Sequence, residues 1–464
     1  MYYRLKDNIA LRSWKFVPRA YYIKNSPYAK GLTEEEFDIL LCCDGEHEVI
    51  LNSLVLNLEE RGLIAKCSPG AILSEWSRYK SYPHRYFPKM NFMITGKCNY
   101  NCLHCFNAAD NAPIMTEWKY EDVLQLLEQA KNCGINAFTI TGGEPMFHPK
   151  FLDIISAIYE RDMFVEELNT NGYFITQEIL DEFKKIGCKP LIKISFDGLE
   201  CHDWMRNHKG AERKTLAAIE MCISNGFDIM VQTQVHRRNL YTLMPTARTL
   251  NDIGVKIMRL IRTTEVTRWV ENAPGSSISV KEYYEKMLDF IQEYKRSKMG
   301  MQIIIWQFMR MYPRNGSYEL EAVLCPSGNY NPTDPICKGN RGMIGVASNG
   351  NVVPCLQMSG YYEEHGIHLG NLHETSLQDI LGNSDYLNEV CTNLHKFCKA
   401  NKKCNECKYW RWCNGGCPAL GLLFTGDRRG SDLSKCLFYK DNWYNKIEKV
   451  MDGWQNLSHI NFES

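Results

Sequence analysis

Short apolar stretches alternate with amphipathic ones between about Phe92 and Arg262. Six of these stretches are rich in β-branched and aromatic residues, and apolar positions at helical spacing follow each of them. They read NFMIT, AFTIT, FVEELNT, LIKISFD, IMVQTQV and KIMRLIR. The pattern predicts an α/β fold in which six βα units form a partial (β/α)6 barrel of the TIM type, with functional residues on the loops that follow the strands.

The barrel region, residues 88–300, is flanked by two further units. Residues 1–80 contain two strand-like runs and then two helix-like runs, the first of which begins with a capping box formed by Thr33 and Glu36. Residues 301–464 begin with a bridging region and continue in a cysteine-rich stretch. A chain of 464 residues is long enough for about two to four domains, which agrees with this division.

The composition is that of a globular chain without a strong charge bias. Hydrophobic residues make up 44% and charged residues 23%, and 54 basic side chains balance 54 acidic ones. No stretch approaches the roughly 18 apolar residues of a membrane span, and the first residues lack the apolar core of a secretory signal. We therefore expect a cytoplasmic protein with no membrane partner and no nucleic-acid partner.

Twenty cysteines are many for a reducing compartment, where structural disulfides are uncommon. The clustered cysteines therefore predict metal binding. Four isolated ones predict only buried packing; these are Cys133, Cys188, Cys201 and Cys222.

The first cluster directly follows the first predicted barrel strand and has the spacing CxxxCxxC. Its members are Cys98, Cys102 and Cys105, and the aromatic Phe106 ends the motif. Three thiolates on one loop can hold three irons of a cubane cluster, which leaves the fourth iron open to a small molecule. A zinc site is the alternative, although structural zinc prefers four closed ligands.

This loop resembles that of the radical S-adenosylmethionine (radical SAM) superfamily, and a GGEP motif after the second strand strengthens the resemblance. That motif consists of Thr141, Gly142, Gly143, Glu144 and Pro145. The resemblance implies that S-adenosylmethionine chelates the open iron of a [4Fe-4S] cluster, with the ammonium group of the cofactor received by Gly142, Gly143, Glu144 and Pro145. It also implies that an electron from the cluster cleaves the cofactor to a 5′-deoxyadenosyl radical.

The fourth predicted strand ends in a pattern similar to SxDG...HD..R of peptide-modifying members. By this resemblance Ser195 and Arg206 are candidates for the ribose and carboxylate of the cofactor. The alternative is a strand-end turn followed by a surface arginine. The segment 169–172 follows the third strand and could approach the cofactor, but Asn-Gly is also an ordinary turn signal.

The second cysteine region matches the seven-cysteine SPASM signature in its spacing. The signature consists of Cys337, Cys355, Cys404, Cys407, Cys413, Cys417 and Cys436. The resemblance implies two auxiliary [4Fe-4S] clusters, and hence three clusters in all. The first would be held by Cys337, Cys355 and Cys417, and the second by Cys404, Cys407, Cys413 and Cys436. A zinc ribbon built from the CxxC portions is the alternative.

The first auxiliary cluster has only three ligands in this assignment. Cys325 is the candidate for the fourth, with Cys391 and Cys398 as rivals. If none of them binds, an open iron could accept a substrate thiolate; if Cys325 closes the cluster, electron transfer is the better role.

Residues 1–80 resemble the winged-helix-like recognition element of ribosomally made peptide pathways, with a CDG and a terminal RGLI. The resemblance implies that a precursor's leader adds as a strand to an exposed sheet edge. DNA binding is the alternative for a winged helix, but the unit has no concentrated basic stripe.

Together these motifs predict a radical SAM peptide maturase that makes a thioether, a carbon-carbon cross-link or a related change, and that receives electrons from a donor such as flavodoxin or ferredoxin. The alternatives are a sulfatase-maturase-like oxidation of Cys or Ser to formylglycine and a non-catalytic iron-sulfur electron carrier. The catalytic acid or base is not identified by the sequence.

Overall fold

The N-terminal unit contains two small sheets and two helices. The computed structural model describes residues 1–105, 107, 115–265, 267–322, 331–382 and 384–450. The strands of this unit are β1 (Tyr2–Leu5), β2 (Ile9–Trp14), β3 (Val17–Ile23), β4 (Lys30–Gly31), β5 (Asp44–Glu48), β6 (Ile64–Lys66) and β7 (Lys80–Tyr82), and its helices are α1 (Glu34–Cys42) and α2 (Ser53–Glu60). One sheet has the order β5-β1-β6 and the other β4-β3-β2-β7. The predicted capping box is confirmed, because Thr33 and Glu36 exchange hydrogen bonds at the start of α1.

The six predicted barrel strands are confirmed as neighbours in one parallel sheet. They are β8 (Lys89–Thr95), β9 (Ala137–Gly142), β10 (Phe164–Thr170), β11 (Leu191–Ser195), β12 (Ile229–Val235) and β13 (Ile257–Arg262). The connecting helices are α3 (Tyr120–Asn132), α4 (Phe151–Tyr159), α5 (Gln177–Ile186), α6 (His202–Arg206), α7 (Ala211–Ser224), α8 (Leu243–Ile253), α9 (Thr267–Asn272) and α10 (Val280–Ser297). The predicted α/β fold with a parallel barrel sheet is therefore present.

The main hydrophobic core lies between this sheet and its helices. Alternate residues of β8, such as Phe92 and Ile94, are fully buried against α3, whose Val123 and Leu127 are also fully buried. Because side chains alternate between the two faces of a strand, the remaining positions point into the barrel.

The sheet extends beyond residue 300 and takes in strands from both ends of the C-terminal region. These strands are β14 (Gln302–Ile305), β15 (Met309–Arg314), β16 (Ser317–Ala322), β17 (Met343–Val346) and β18 (Val352–Val353). β14 pairs in parallel with β13, and β17 pairs in parallel with β8 at the opposite edge. The C-terminal region therefore continues the barrel sheet on both sides.

Short helices make up most of the rest of the C-terminal region. They are α11 (Lys338–Gly342), α12 (Ser359–Glu364), α13 (Leu377–Gly382), α14 (Asp385–Val390), α15 (Leu394–Ala400), α16 (Lys402–Asn405), α17 (Trp410–Cys413), α18 (Pro418–Thr425), α19 (Leu433–Lys440) and α20 (Trp443–Val450). Among them, α17 ends at Cys413 and α18 begins directly after Cys417. Within the described ranges, no helix has the length and apolar content needed to cross a membrane.

Candidate functional site

The loop after β8 brings the first three predicted cysteines together. Cys98, Cys102 and Cys105 pack in one small cluster with Tyr100. Burial raises the pKa of the Cys98 thiol to about 12, and the neighbouring Cys102 and Cys105 thiols add to this effect. Phe106, the aromatic residue that ends the motif, lies outside the described residues.

The two glycines of the GGEP motif let the end of β9 lie against the stem of this loop. The Gly143 amide donates to the Thr95 carbonyl at 2.8 Å, and the Glu144 amide donates to the Lys97 carbonyl at 2.9 Å. A Cβ at Gly143 would lie 2.3 Å from the Lys97 carbonyl oxygen, and one at Gly142 would lie 2.5 Å from that of Thr95. The close backbone approach that requires glycine is therefore an approach to the cysteine loop itself.

The Glu144 carboxylate connects this junction to the end of the next strand. It is fully buried and accepts hydrogen bonds from the Asn171 backbone amide at 2.7 Å and from the Thr170 hydroxyl at 2.8 Å. The carboxylate also caps the short 3-10 turn Pro145–Phe147 by accepting from the Met146 amide. Burial raises the pKa of Glu144 to about 7, although these hydrogen bonds oppose the rise.

Asn171 belongs to the segment 169–172, for which the sequence left open an approach to the cofactor or an ordinary turn. Its side-chain amide donates to Asn99 Oδ1 at 2.9 Å and lies 3.9 Å from Cys98 Sγ. An Asn-Gly pair is also an ordinary turn signal, so the local sequence gives this residue no role. The available signal is its position directly after the third barrel strand, where the open face of the sheet lies.

Arg206 lies beneath the cysteine loop in a buried ion pair. Its Nε lies 2.8 Å from Asp197 Oδ2, and its Nη1 donates to Cys102 Sγ at 3.7 Å. His202 Nδ1 lies 3.4 Å from the same carboxylate oxygen. Although burial opposes the change, Arg206 holds the pKa of Asp197 well below its ordinary value. Because Arg206 is only 6% exposed, the alternative of a surface arginine is wrong.

Ser195 lies at the end of β11 on the inner face of the barrel. Ile192 and Ile194 of the same strand are fully buried in the main core, which places Lys193 and Ser195 on the opposite face. Lys193 Nζ lies 2.7 Å from Glu167 Oε1 on the neighbouring strand. The barrel interior near Ser195 is therefore polar and contains paired charges.

The C-terminal cysteines of the described ranges fall into two neighbourhoods, and their assignment to two clusters stays a prediction. Burial raises the pKa of the Cys417 thiol to about 12, and the nearby Cys355 and Cys337 thiols contribute to the rise. Burial likewise raises the pKa of Cys355 to about 11, with Cys337 as a smaller cause. These three residues are thus neighbours although they are far apart in sequence.

The second group contains Cys404, Cys407, Cys413 and Cys436. Burial raises the pKa of Cys404 to about 12, with Cys436 and Cys407 among the further causes. Burial also raises the pKa of Cys413 to about 12, and Cys436 contributes.

The structure separates the candidates for a fourth ligand of the first group. Cys398 lies beside Cys404 and Cys407, so it neighbours the second group. Cys391 lies near Arg341 and Tyr386. Cys325 lies outside the described residues.

The chemistry of these groups suits iron-sulfur clusters. Thiols whose pKa is raised by burial stay protonated at neutral pH, and a cluster supplies the positive metal that stabilises them as thiolates. Within the described part of the chain, no three or more Cys, His, Asp or Glu side chains are gathered closely enough to hold a single metal ion. A four-iron cluster is wider than a single ion and needs a more open arrangement of its ligands.

Comparison with protein families identifies two domains in the chain. Residues 92–246 match the family model of the radical SAM superfamily, and residues 337–408 match the model of the SPASM iron-sulfur cluster-binding domain. The first range holds Cys98, Cys102 and Cys105, and the second holds four of the seven C-terminal cysteines.

Individual relatives differ in how much of the chain they match. An AdoMet-dependent heme synthase of Methanosarcina barkeri is 28% identical over 72% of this chain and 92% of its own length. The antilisterial bacteriocin subtilosin biosynthesis protein AlbA of Bacillus subtilis is 28% identical over 36% of this chain and 37% of its own. The crystal structure of Streptococcus suis SuiB bound to precursor peptide SuiA superposes with a TM-score of 0.63 at 13% identity, over 94% of this chain and 99% of that one.

Proposed function

Because this chain is a radical SAM enzyme with a SPASM domain, we propose that it modifies a ribosomally made precursor peptide recruited by its N-terminal unit. The proposal is supported by how much of the chain matches SuiB and how much matches the heme synthase. The structural superposition on SuiB covers 94% of the chain and so includes most of the N-terminal unit, while the sequence alignment with the heme synthase covers 72% of the chain. A peptide-binding relative thus accounts for an architecture that includes residues 1–80.

In this proposal Cys98, Cys102 and Cys105 hold the radical SAM cluster, and the two C-terminal groups hold auxiliary clusters. When bound, the first cluster supplies the electron that cleaves S-adenosylmethionine and so generates a radical able to remove a hydrogen atom from the peptide. Glu144 keeps the loops after β8, β9 and β10 in fixed relative positions by its hydrogen bonds. Ser195 and Arg206 are proposed cofactor contacts, and Arg206 also orients Cys102.

The edge strand β6 offers a place where a leader could add as a further strand. Cys67 N donates to the Tyr2 carbonyl and Lys6 N donates to the Leu63 carbonyl, both at 3.1 Å. Since hydrogen-bonded pairs alternate along an antiparallel ladder, the backbone groups of Ile64 and Lys66 point away from β1. Among the described residues no backbone bond from another segment reaches them. Ile64 is fully buried, so only the exposed Lys66 end of this edge is open to a peptide in the manner of β-augmentation.

The test is anaerobic reconstitution of the wild-type protein and of a variant with Cys98→Ala, Cys102→Ala and Cys105→Ala. We expect about twelve irons in the wild type and about eight in the variant, because each cubane carries about four. Only the wild type should form 5′-deoxyadenosine with dithionite. Peptides encoded by neighbouring reading frames should then lose a pair of hydrogen atoms, as seen by mass spectrometry. About four irons or fewer in the wild type, with no cofactor cleavage, would disprove the proposal.

A second candidate is a reaction on a tetrapyrrole, in line with the heme synthase relative. The observation that favours it is the 92% coverage of that relative at 28% identity. Incubation with an iron porphyrin substrate distinguishes the two candidates. Conversion of the porphyrin by a chain that lacks residues 1–80 would favour this second function, because the N-terminal unit would then be dispensable.

A further inference from the structure

A cleft of about 650 Å³ lies between the N-terminal unit and the C-terminal region. We call it the interdomain cleft. Its walls come from the turn between β2 and β3, from the linker that leads into the barrel, and from the α11, α14 and α15 segments. The charged and aromatic residues among its walls are Lys15, Phe16, His84, Arg85, Arg341 and Lys396. Its volume is within the range of sites that hold small ligands or a few residues of a peptide.

Four cationic side chains line the interdomain cleft. Lys15, Arg85, Arg341 and Lys396 all line it, and no aspartate or glutamate does. None of the four forms an ion pair in the part of the chain that the structure describes. Four like charges around one cleft repel one another, so an anionic occupant would be favoured there.

The sequence that precedes the C-terminal wall cannot neutralise these charges. Residues 323–330 read VLCPSGNY and contain no charged side chain.

His84 adds a polar group that lacks a partner. It is 3% exposed, and its Nδ1 donates to the Arg85 carbonyl at 2.9 Å. Its Nε2 has no hydrogen-bond partner among the described residues. Burial lowers the pKa of His84, so Nε2 carries a lone pair at neutral pH and can accept a hydrogen bond.

Phe16 makes one side of the cleft suitable for a chain rather than for a small anion. Its ring is 57% exposed, and the Arg85 guanidinium lies 4.3 Å from the ring centroid. Exposed aromatic surface beside cations favours a ligand that has apolar as well as acidic groups. A phosphate ion would leave this surface unused.

We propose that the interdomain cleft binds an acidic stretch of the precursor peptide in an extended conformation, between the leader and the residues to be modified. The inference rests on the proposed function and names the chemistry of the segment that follows the leader. Arg341 donates its backbone amide to the Cys337 carbonyl at 3.1 Å, so a peptide in the cleft lies close to a proposed ligand of the first auxiliary cluster. The cleft thus guides the peptide from the N-terminal unit toward the C-terminal region.

The test uses the full-length reconstituted protein and a fluorescein-labelled hexapeptide of alternating glutamate and leucine. The double variant Arg85→Gln with Lys396→Gln removes two cleft charges at exposed or partly exposed positions, whereas Arg341 is left intact because it packs on Phe87 and bonds the Tyr86 carbonyl. Fluorescence anisotropy at low salt should show about a tenfold loss of affinity, as expected for two charge pairs at a solvated site. The control Lys189→Gln removes one exposed charge outside the cleft and should bind like the wild type.

Three outcomes would overturn the inference. Equal affinity of the wild type and the double variant would show that the cleft does not bind the probe. Equally tight binding of pyrophosphate would show a small-anion site. Loss of flavodoxin binding, without any hexapeptide binding by the wild type, would show docking of an electron donor instead.

Formation of 5′-deoxyadenosine is measured in parallel in each protein. The anisotropy experiment needs no turnover, so a failure of cofactor cleavage would count against the proposed function and not against the cleft. Unchanged iron content and melting temperature of the double variant would show that the variant is folded.

Discussion

Individual residues at the open face of the barrel connect neighbouring loops by hydrogen bonds. Glu144 links the loops after β9 and β10, and Asn171 extends the connection to Asn99 in the cysteine loop. The GGEP motif could be found from the sequence because its spacing after a strand is distinctive. The hydrogen bond of Asn171 with Asn99 could not be predicted, because it depends on which loops are neighbours in the fold. An Asn-Gly pair predicts only a turn and does not indicate which loop lies beside it.

Glu144 should make the stability of the protein depend on pH. Its pKa is about 7 in the folded state, above the ordinary carboxyl value of 4.5, because of burial. The folded state then binds the proton more tightly than the unfolded chain, so this contribution is present below the ordinary value and is lost as the pH rises to about 7. We expect Glu144→Gln to gain roughly 3 kcal/mol relative to the wild type between pH 4.5 and pH 7.

Thermal unfolding of both proteins at pH 4.5 and at pH 8 measures this relative change. A control substitution, Glu121→Gln at the exposed start of α3, should show no such trend. A constant difference between Glu144→Gln and wild type at the two pH values would contradict the prediction.

The pair formed by Arg206 and Asp197 should be costly to break from one side. Asp197→Asn leaves the buried guanidinium without its counter-ion, and such changes cost about 3–5 kcal/mol. We expect urea unfolding to shift to lower concentration by an amount that corresponds to this loss. The matched control is Asp181→Asn, which removes an exposed partner of Lys184 and should shift the curve by well under 1 kcal/mol.

At the scale of elements, the positions of the barrel strands could be predicted from the sequence, but the pairing of strands that are distant in the chain could not. All six barrel strands form where alternation and β-branched content predict them, because that signal is local. The pairing of β17 with β8 joins segments that are far apart in the chain, and nothing in either segment specifies the other. The same holds for β7, which pairs in parallel with β2.

The junction between the ends of β8 and β9 should control loading of the first cluster. In Gly143→Ala the new methyl group would lie 2.3 Å from the Lys97 carbonyl oxygen, so the stem of the cysteine loop must move. We expect the reconstituted variant to contain about four irons fewer than the wild type, with the auxiliary clusters retained. Gly300→Ala is the control, because a Cβ there has nothing within 4 Å. An unchanged iron content in Gly143→Ala would contradict the prediction.

At the scale of the whole molecule, the two flanking units are attached in different ways. The C-terminal region supplies strands to both edges of the barrel sheet and is fixed further by the Trp118 indole, which donates to the Ala347 carbonyl at 3.0 Å. The N-terminal unit keeps its own two sheets and reaches the barrel through side-chain contacts such as Lys24 with Asp162. The sequence divides the chain into three units but does not reveal this difference.

Truncation should expose the difference. A chain that ends at residue 330 would leave the edge of β8 unpaired, and an exposed central strand promotes self-association. We expect it to elute as aggregates in size-exclusion chromatography. A chain that begins at residue 83 keeps the buried Phe87, and it should elute as a single species, form 5′-deoxyadenosine and fail to modify the precursor. A monodisperse chain 1–330 would show that β17 does not protect the sheet.

The separate sheets of the N-terminal unit also bear on how such an enzyme could be redirected. No strand of residues 1–82 enters the barrel sheet. Replacing this unit would therefore leave the main-chain hydrogen bonds of the barrel sheet unchanged. Under the proposed function, the unit could be exchanged for one that prefers a different peptide, provided that the contacts of Tyr22 and Lys24 with the barrel are rebuilt. In such a chimera, one protein would supply the substrate selectivity and another would supply the radical chemistry.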